Sequence, residues 1–216
     1  MSAQAPHLFL QEPAIQAFIK RARRRRIPAR HTVLHSGDSP ESLYLILEGS
    51  VSILAEDEDG REMVLAYRHA GEFFGEMCLF PHLDTRSALV RTRQETWVAE
   101  LAFEGFRTFA DEHRDIMFVL AGQLAVCLRD TSRRLADLNF LDVAGRMAHA
   151  LLDLADQPDA VVTPRGKEIS TSRQELARIV GCSREMAGRV LKSLEEDGLI
   201  ESDGRRLLII QPRSQD

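Results

Sequence analysis

Two arginines bracket a glutamate at the start of a predicted helix, and these residue types could read DNA bases. Arg184, Glu185 and Arg189 fall on one face when the helix is wound at about 100° per residue, and Lys192 extends that face. Arginine can bond bidentately to O6 and N7 of guanine, and a carboxylate can accept from N4 of cytosine. Gly188 lies in the middle of the same face, where a side chain would hold the backbone away from a ligand. The pattern therefore predicts a surface suited to a G·C-containing major groove.

A helix, a tight turn and a second helix are predicted to position these side chains. Ser172 followed by Glu175 is a capping-box start. Gly181 stands where the first helix has to end, and Ser183 can cap the second helix. Taken alone, this pattern also fits an ordinary solvated helix pair. A hairpin signal at Asp203-Gly204 follows it, so the segment predicts a winged helix-turn-helix.

A second set of polar residues lies in the first half of the chain. Gly75 permits a backbone turn that exposes N–H groups, which is an anion-binding arrangement. Arg86 offers a fork of donors to a phosphate and Ser87 adds a hydroxyl. Glu76 can accept from a sugar hydroxyl. Taken singly these residues are weak signals, because an arginine near a glycine turn is more often structural.

The surroundings of this second set have the texture of a β-domain. From about residue 30 to residue 101, short apolar runs alternate with turn signals. Ser50–Leu54 and Met63–Tyr67 are predicted strands on either side of an acidic turn. Such spacing favours a sandwich or jelly roll. Residues 1–30 are predicted to be a short helical lead-in, in which Arg23–Arg26 form a solvated face or contact a nucleic acid or an acidic protein.

An almost heptad-spaced seam runs through a long helix predicted from about 113 to 139. Its members are Met117, Leu120, Leu124, Cys127, Thr131, Leu135 and Leu138. A seam of this period predicts a parallel homodimer through the helix. Thr131 is a polar member of the seam, and Ser132 stands beside it.

Composition sets limits on what kind of protein this is. The chain has 216 residues, 44% of them hydrophobic and 28% charged, with a formal net charge of −5. This suits a globular protein of one large or two modest domains, in which DNA binding would require clustered basic residues. Neither a membrane span nor a signal peptide is evident, so a cytoplasmic location is expected. Cys78, Cys127 and Cys182 are too far apart in sequence to indicate a disulfide framework or a structural zinc site.

Three stretches together resemble the Crp/Fnr family of transcription regulators. Val180–Glu185, continuing through Gly188-Arg189, is similar to the DNA-binding segment of that family. Residues 71–80 with Arg86-Ser87-Ala88 resemble the phosphate-binding cassette of cyclic-nucleotide-binding domains. Asp130-Thr131-Ser132 ahead of residues 140–143 is a further match, so the resemblance extends over nearly the whole chain.

The resemblance implies an α+β protein of two domains. Residues 1–141 would form a β jelly-roll cyclic-nucleotide-binding domain with a dimerisation helix, and residues 142–216 a winged helix-turn-helix, with a hinge at 139–142. The residues expected to bind nucleotide are Val64 and Leu65 at the base, Gly75, Glu76, Met77, Arg86 and Ser87 at ribose and phosphate, Thr131, and Ser132 from the partner chain. The residues expected to bind DNA are Arg173, Gln174, Ser183, Arg184, Glu185, Arg189 and Lys192.

The effector implied is cAMP, which would favour a dimer able to bind a TGTGA-like palindrome. Cyclic di-GMP acting as a negative effector, or DNA binding without any ligand, are the alternatives. Cys78 and the loop Pro81–Thr85 depart from the family pattern, whereas Ser87 favours cAMP because relatives that respond to cyclic di-GMP replace it. RNA polymerase is an expected partner, but the loop contact seen in relatives is not carried over because Val162-Thr163 differs.

Other sensor types and enzymes are disfavoured. The first 77 residues contain no cysteine, which argues against an iron–sulfur cluster. A haem held by Cys78 and His82 conflicts with a phosphate site at Arg86-Ser87. The seven histidines are scattered without the spacing of a metal-dependent enzyme, and no nucleophile–base pair is suggested. We therefore expect neither catalysis nor a bound metal.

Overall fold

The structure is a computed structural model that describes residues 10–80 and 84–210. The chain divides into two compact units, Met1–Thr131 and Ser132–Asp216. Part of the Pro81–Thr85 loop, including His82, and the tail Pro212–Asp216, which the sequence predicts to be frayed, lie outside the described residues.

The first unit is mainly β. Its elements are α1 (Pro13–Arg21), β1 (Arg23–Ile27), β2 (Thr32–Leu34), β3 (Ser42–Glu48), β4 (Ser50–Glu56), β5 (Glu62–His69), β6 (Phe73–Phe74), a 3₁₀ turn (Met77–Leu79), β7 (Leu89–Thr92), β8 (Thr96–Ala102), α2 (Phe103–Glu112) and α3 (Asp115–Phe140), the last of which runs on into the second unit. Two antiparallel four-stranded sheets form, with strand orders β1-β8-β3-β6 and β2-β7-β4-β5. The predicted α+β class with a jelly-roll-like first domain is confirmed.

Side chains of β3 alternate between two cores, which explains its uninterrupted burial. Tyr44 and Ile46 point between the two sheets, where they meet Val51 and Val90 of the other sheet. The opposite face of β3 packs against the helices. That second core includes Leu43, Leu45, Phe18, Phe73, Phe106, Phe109, Ile116 and Leu120. The start of α3 is therefore fixed to its own domain by two fully buried side chains, Ile116 and Leu120.

The arginine run is strand, so the prediction of a helical lead-in to residue 30 was wrong beyond Arg21. Helix α1 ends there, and Arg23–Ile27 pair antiparallel with β8 at the edge of a sheet. Arg25 donates to Glu100 on β8 at 2.9 Å, and Arg26 is paired with Glu95. Cross-strand ion pairs of this kind hold a charged edge strand that local propensity does not predict.

The second unit carries the helix-turn-helix. Its elements are α4 (Val143–Ala155), β9 (Val161–Thr163), β10 (Gly166–Ser170), α5 (Arg173–Val180), α6 (Arg184–Glu196), β11 (Ile200–Asp203) and β12 (Arg206–Ile210). The sheet order is β11-β12-β10-β9, so the segment predicted as a loop at 158–167 contains strand β9 and the start of β10. The predicted wing is present as the β11–β12 hairpin, with Gly204 at φ +63.

Buried side chains hold the helices of this unit together, and one arginine joins their ends. Met147, Leu176 and Ala187 are fully or almost fully buried, one on each of α4, α5 and α6. Arg146 donates to the carbonyl of Leu141 at 2.9 Å and to that of Val180 at 3.2 Å.

Neither α3 nor any other helix in the described part of the chain is long and apolar enough to cross a membrane.

Candidate nucleotide site and DNA-reading surface

A buried arginine shapes the turn at Gly75. The Arg86 guanidinium donates from Nη1 to the carbonyl of Gly75 at 2.8 Å and from Nη2 to that of Ser42 at 2.7 Å. It also lies over the ring of Phe103, 5.4 Å from the centroid. Gly75 has φ +78, and a Cβ there would come within 2.8 Å of Arg86 Nη1. Only glycine fits this turn, because the left-handed backbone and the arginine leave no room for a side chain.

Arg86 retains donors that the turn does not use. A guanidinium has five N–H groups, and the described contacts use two of them. The Nε atom is buried and has no hydrogen-bond partner among the described residues. An unsatisfied buried donor on a cation is costly unless something accepts from it. Its position at a glycine turn therefore suits an anionic ligand such as a phosphate.

The neighbouring polar side chains gather around this arginine. Glu76 is only 7% exposed, and burial raises the pKa of its carboxyl, an effect opposed by the charges of Arg68 and Arg86. Ser87 is exposed, and its hydroxyl lies 3.6 Å from the sulfur of Met77. The structure thus brings together Gly75, Glu76, Met77, Arg86 and Ser87, as the sequence predicts.

The two residues predicted at the base differ in burial. Val64 is buried at 5% exposure, whereas Leu65 is 40% exposed. The ladder is irregular here, because Leu54 pairs with Val64 and Ile53 with Ala66, which leaves Leu65 as the extra residue of a bulge. Cys78, which departs from the family pattern, is partly buried and its thiol lies 3.4 Å from the carbonyl of Thr85.

One face of helix α3 turns toward its own β-domain. The side-chain amide of Gln123 accepts from the backbone N–H of Phe73 at 2.8 Å and donates to its carbonyl at 2.7 Å. One turn later, Cys127 contacts the guanidinium of Arg68. Thr131 follows after one more turn on the same face, at the exposed end of the row. We call the row of Gln123, Cys127 and Thr131 the inner face of α3, and its first two members contact β6 and β5.

Two members of the predicted dimer seam are engaged within their own chain. Leu120 is completely buried, and Cys127 contacts Arg68. A more exposed row lies beside the predicted seam and shares Leu135 with it. We call it the outer stripe, and it comprises Phe118, Ala121, Ala125, Leu128, Ser132 and Leu135. Phe118, Leu128 and Leu135 are 77%, 70% and 61% exposed, so the outer stripe carries large apolar side chains at the surface.

Local hydrogen bonds position the DNA-reading helices as the sequence predicts. The Ser172 hydroxyl accepts from the N–H of Glu175 at 3.1 Å, and the Ser183 hydroxyl accepts from that of Met186 at 3.2 Å. Gly181 ends α5 in the left-handed conformation at φ +72. Each of these contacts marks the beginning or the end of a helix. Its two partners are no more than four residues apart, so the local sequence is enough to specify it.

Helix α6 and the start of α5 form a concave, positively charged surface. A cleft of about 500 Å³ is lined by Arg173, Arg184, Glu185, Gly188, Arg189 and Lys192. Four cations face one carboxylate there, although the whole chain is acidic. Gln174 is exposed outside this lining, and the Ser183 hydroxyl serves as the cap of α6. Although the whole protein is acidic, this cluster gives it a local positive charge that can attract the phosphate backbone of DNA.

Two known domain families match this chain, one in each half. The cyclic nucleotide-binding domain family matches residues 24–113, and the Crp-like helix-turn-helix domain family matches residues 145–214. The transcription regulator Vfr of Pseudomonas aeruginosa is 49% identical over 193 residues, covering 88% of this chain and 90% of Vfr. The chain belongs to the Crp/Fnr family of transcription regulators. It is accordingly a cyclic-nucleotide-responsive, DNA-binding protein.

Two further relatives show how far the family likeness extends. The regulator CRP of Salmonella typhimurium is 42% identical over 202 residues, covering 94% of this chain and 96% of that protein. The solved structure of CLP from Xanthomonas campestris is 43% identical, with a TM-score of 0.85, and the match covers 92% of this chain and 99% of CLP. The first is described as cAMP-activated and the second as responsive to cyclic di-GMP. Both effectors therefore occur among Crp/Fnr proteins similar to this chain.

Residues that sequence reasoning missed are those that join the cassette to the helix. Gln123 interrupts an apolar face of α3, and Arg68 is a charged residue near the end of a mainly apolar strand. Both breaks in the pattern are visible in the sequence, but their partners are distant in sequence. Among the described residues, no cluster of three or more His, Cys, Asp and Glu side chains could hold a metal ion.

Proposed function

We propose that this regulator binds cAMP and that the bound nucleotide favours its DNA-binding state. The observation that carries the proposal is the buried Arg86 fork at the Gly75 turn, with Glu76 and Ser87 beside it. Arg86 and Ser87 would meet the cyclic phosphate and Glu76 the ribose, while Met77, Val64 and Leu65 would border the ligand. Vfr and CRP, both described as cAMP-activated, support this choice of nucleotide.

The active form is proposed to be a homodimer through the outer stripe of α3. Large side chains at Phe118, Leu128 and Leu135 are exposed, and the stripe repeats with the spacing of a coiled-coil seam. Thr131 follows the inner face, whereas Ser132 belongs to the outer stripe. Thr131 would then reach the nucleotide of its own chain and Ser132 that of the partner. Ligand would in this way bridge the two chains at the dimer interface.

Gating is proposed to work by a shift in population. Ligand would favour the dimer in which the two recognition helices are one helical turn of DNA apart. Moving an equilibrium from 1:99 to 99:1 requires about 10⁴-fold preferential binding, about 5.5 kcal/mol. A dimer with two sites divides that requirement, so each nucleotide needs to prefer the active state by only about 100-fold.

DNA recognition is assigned to the concave surface of the second unit. Arg184, Glu185 and Arg189 would read base edges in a TGTGA-like palindrome. Arg173, Gln174, Ser183 and Lys192 would contact phosphates and fix the register. The nucleotide-binding part would end near residue 141 and the DNA-binding part would begin near 142. The protein would act in the cytoplasm together with RNA polymerase.

A second candidate effector is cyclic di-GMP, with the opposite sign. The likeness to CLP, whose structure is described as that of a cyclic di-GMP responsive regulator, favours it. The hydroxyl of Ser87 argues against cyclic di-GMP, because Ser87 and the adjacent Arg86 together suit a single cyclic phosphate.

Calorimetric titration of the purified protein with each nucleotide separately tests the proposal. We expect cAMP to bind with micromolar affinity. Ser87→Ala should weaken that binding about tenfold, because a hydrogen bond to a charged phosphate is lost. Ser193→Ala, an exposed change in the other unit, is the matched control and should have no effect. Binding of cyclic di-GMP alone would transfer the assignment to the second candidate.

A further inference from the structure

Gln123 is a polar residue that follows the buried Leu120 by about one turn of helix α3, and both ends of its side-chain amide are bonded. Its Oε1 accepts from the backbone N–H of Phe73 at 2.8 Å, and its Nε2 donates to the carbonyl of the same residue at 2.7 Å. Strand β6, which contains Phe73, is the last strand of its sheet, so it is paired on one side only within that sheet. The amide of Gln123 therefore bonds the main chain of β6 as a peptide group of a neighbouring strand would.

This pair of hydrogen bonds fixes α3 more tightly than a single contact would. Phe73 is fully buried, and its ring packs in the same core as Ile116 and Leu120 of α3. The ring and the main chain of one residue are thus both held by the helix. Two bonds to one backbone residue set the position of α3 along its axis and its rotation relative to β6. They also satisfy buried backbone groups, which are costly to leave unpaired.

Residues proposed to bind the nucleotide lie a short distance from this junction in two directions. Along the strand, Gly75 is two residues after Phe73 and forms the cassette turn, where its carbonyl accepts from Arg86 at 2.8 Å. Along α3, Thr131 is eight residues after Gln123, which corresponds to about 12 Å on the inner face. The junction of Gln123 with Phe73 therefore sets the distance between the cassette turn and Thr131.

We propose that Gln123 is a positioning residue of the nucleotide site. It holds α3 in the register that places the Thr131 hydroxyl opposite the cassette turn, so that one nucleotide contacts both. Gln123 acts through the helix and does not itself touch the ligand. The assignment rests on the proposed function, because it requires that a cyclic nucleotide binds between the cassette turn and Thr131.

A double-mutant cycle, with cAMP binding measured by calorimetry, separates this role from a purely structural one. Gln123→Met keeps the length of the side chain but loses both hydrogen bonds, and Thr131→Val removes the hydroxyl while keeping the shape. If Gln123 positions Thr131, the hydroxyl should matter less once Gln123 is replaced. If Gln123 only supports the fold, Thr131→Val should weaken binding by the same factor with or without it. Thermal unfolding by circular dichroism establishes that each variant is folded.

Gln16→Met is the matched control. Gln16 lies on α1 of the same unit, and its side-chain amide also donates to a main-chain carbonyl, that of Leu10, at 2.6 Å. The substitution is therefore the same and removes a bond of the same kind, away from β6 and α3. Gln16→Met alone should leave cAMP binding unchanged. Adding Thr131→Val to it should weaken binding as much as Thr131→Val does in the unchanged protein.

We expect Gln123→Met and Thr131→Val each to weaken cAMP binding about tenfold when made alone. Adding Thr131→Val to Gln123→Met should weaken it further by about threefold or less. The same factor for Thr131→Val in both backgrounds, or no loss from either single change, would overturn the assignment while leaving cAMP binding itself standing. Failure of the unchanged protein to bind cAMP would instead overturn the proposed function, and this assignment with it.

Gln123→Glu provides the answer if the methionine variant does not fold. Glutamate keeps the shape of the side chain and an acceptor for the N–H of Phe73, but an ionised carboxylate has no donor for the carbonyl of Phe73. Adding Thr131→Val to this variant should again weaken cAMP binding by about threefold or less. A loss as large as that in the unchanged protein would contradict the role proposed for Gln123.

Discussion

Replacing Gly188 with alanine should raise the stability of the second unit and lower its affinity for DNA. Glycine in a helix interior costs about 1 kcal/mol relative to alanine. A Cβ at Gly188 would meet nothing nearer than Arg173 Cδ at 3.8 Å and Nη1 at 4.0 Å, which is ordinary contact. The free protein can therefore accept the methyl group without strain. The helix should gain up to about 1 kcal/mol, which for a unit of this size corresponds to about 4–8 °C in Tm.

The same methyl group would stand in the cleft between Arg184 and Arg189. If DNA approaches the backbone there, the methyl holds α6 away from the groove and weakens both arginine contacts. Each good bidentate contact contributes about 1–3 kcal/mol. Losing the equivalent of one such contact should reduce affinity for the specific site about 10–100-fold.

Fluorescence anisotropy with a labelled palindromic duplex and a random duplex of equal length measures this loss. Thermal unfolding by circular dichroism measures the stability gain. Ser193→Ala is the control, because Ser193 is exposed on the same helix and lies about 140° around its axis from Gly188. It should leave DNA binding unchanged. A more stable Gly188→Ala protein with unchanged affinity for the specific duplex would refute the close approach of DNA to this glycine.

Three further outcomes are expected. Arg184→Ala and Arg189→Ala should each lose about 1–3 kcal/mol of discrimination between specific and random duplexes, measured by anisotropy; equal losses on both duplexes would argue against base reading. Leu128→Glu, on the outer stripe, should yield monomers in analytical ultracentrifugation while Met63→Glu, exposed on β5, does not; a dimeric Leu128→Glu protein would rule out this interface. Burial, with Glu100 adding to it, raises the pKa of Tyr44 to about 12. Because the neutral phenol is the favoured form in the fold, its contribution is complete below about pH 10 and lost as pH rises through 12. Denaturant titration should show this alkaline decline reduced in Tyr44→Phe, and an identical decline in both proteins would contradict the effect.

Elements specified by nearby residues could be predicted from sequence. Ser172, Gly181 and Ser183 fix the two reading helices because each acts on backbone groups within four residues. The wing likewise follows from a two-residue turn at Gly204 and the alternation on either side. Interactions between distant parts of the chain are not needed for these choices.

Elements decided by distant pairing could not be predicted in the same way. Arg23–Arg26 have no local reason to be a strand, and the pairing with β8, far along the chain, decides it. Helix α3 has two apolar faces with similar spacing. Only the packing of Leu120 into its own domain shows which of the two faces stays more exposed.

The cassette residues and their roles were predicted as a set through the family resemblance, and the structure adds the contacts that these residues make within the chain. No sequence pattern indicates that Arg86 bonds the distant carbonyl of Ser42, which gives this arginine a structural task. The convergence of Arg68, Glu72 and Cys127 also depends on how β5 and α3 pack. Chemistry-bearing residue types were thus visible in the sequence, whereas their neighbours were not.

Affinity for a palindromic TGTGA-type duplex, measured by anisotropy across a titration of cAMP, tests the proposed gating most directly. We expect weak binding without nucleotide and binding at least about 100-fold tighter at saturating cAMP. Arg184→Ala should bind the duplex about 1–3 kcal/mol more weakly at saturating cAMP while still binding nucleotide in the calorimeter. Equal affinity for the duplex with and without cAMP would contradict nucleotide-gated DNA binding.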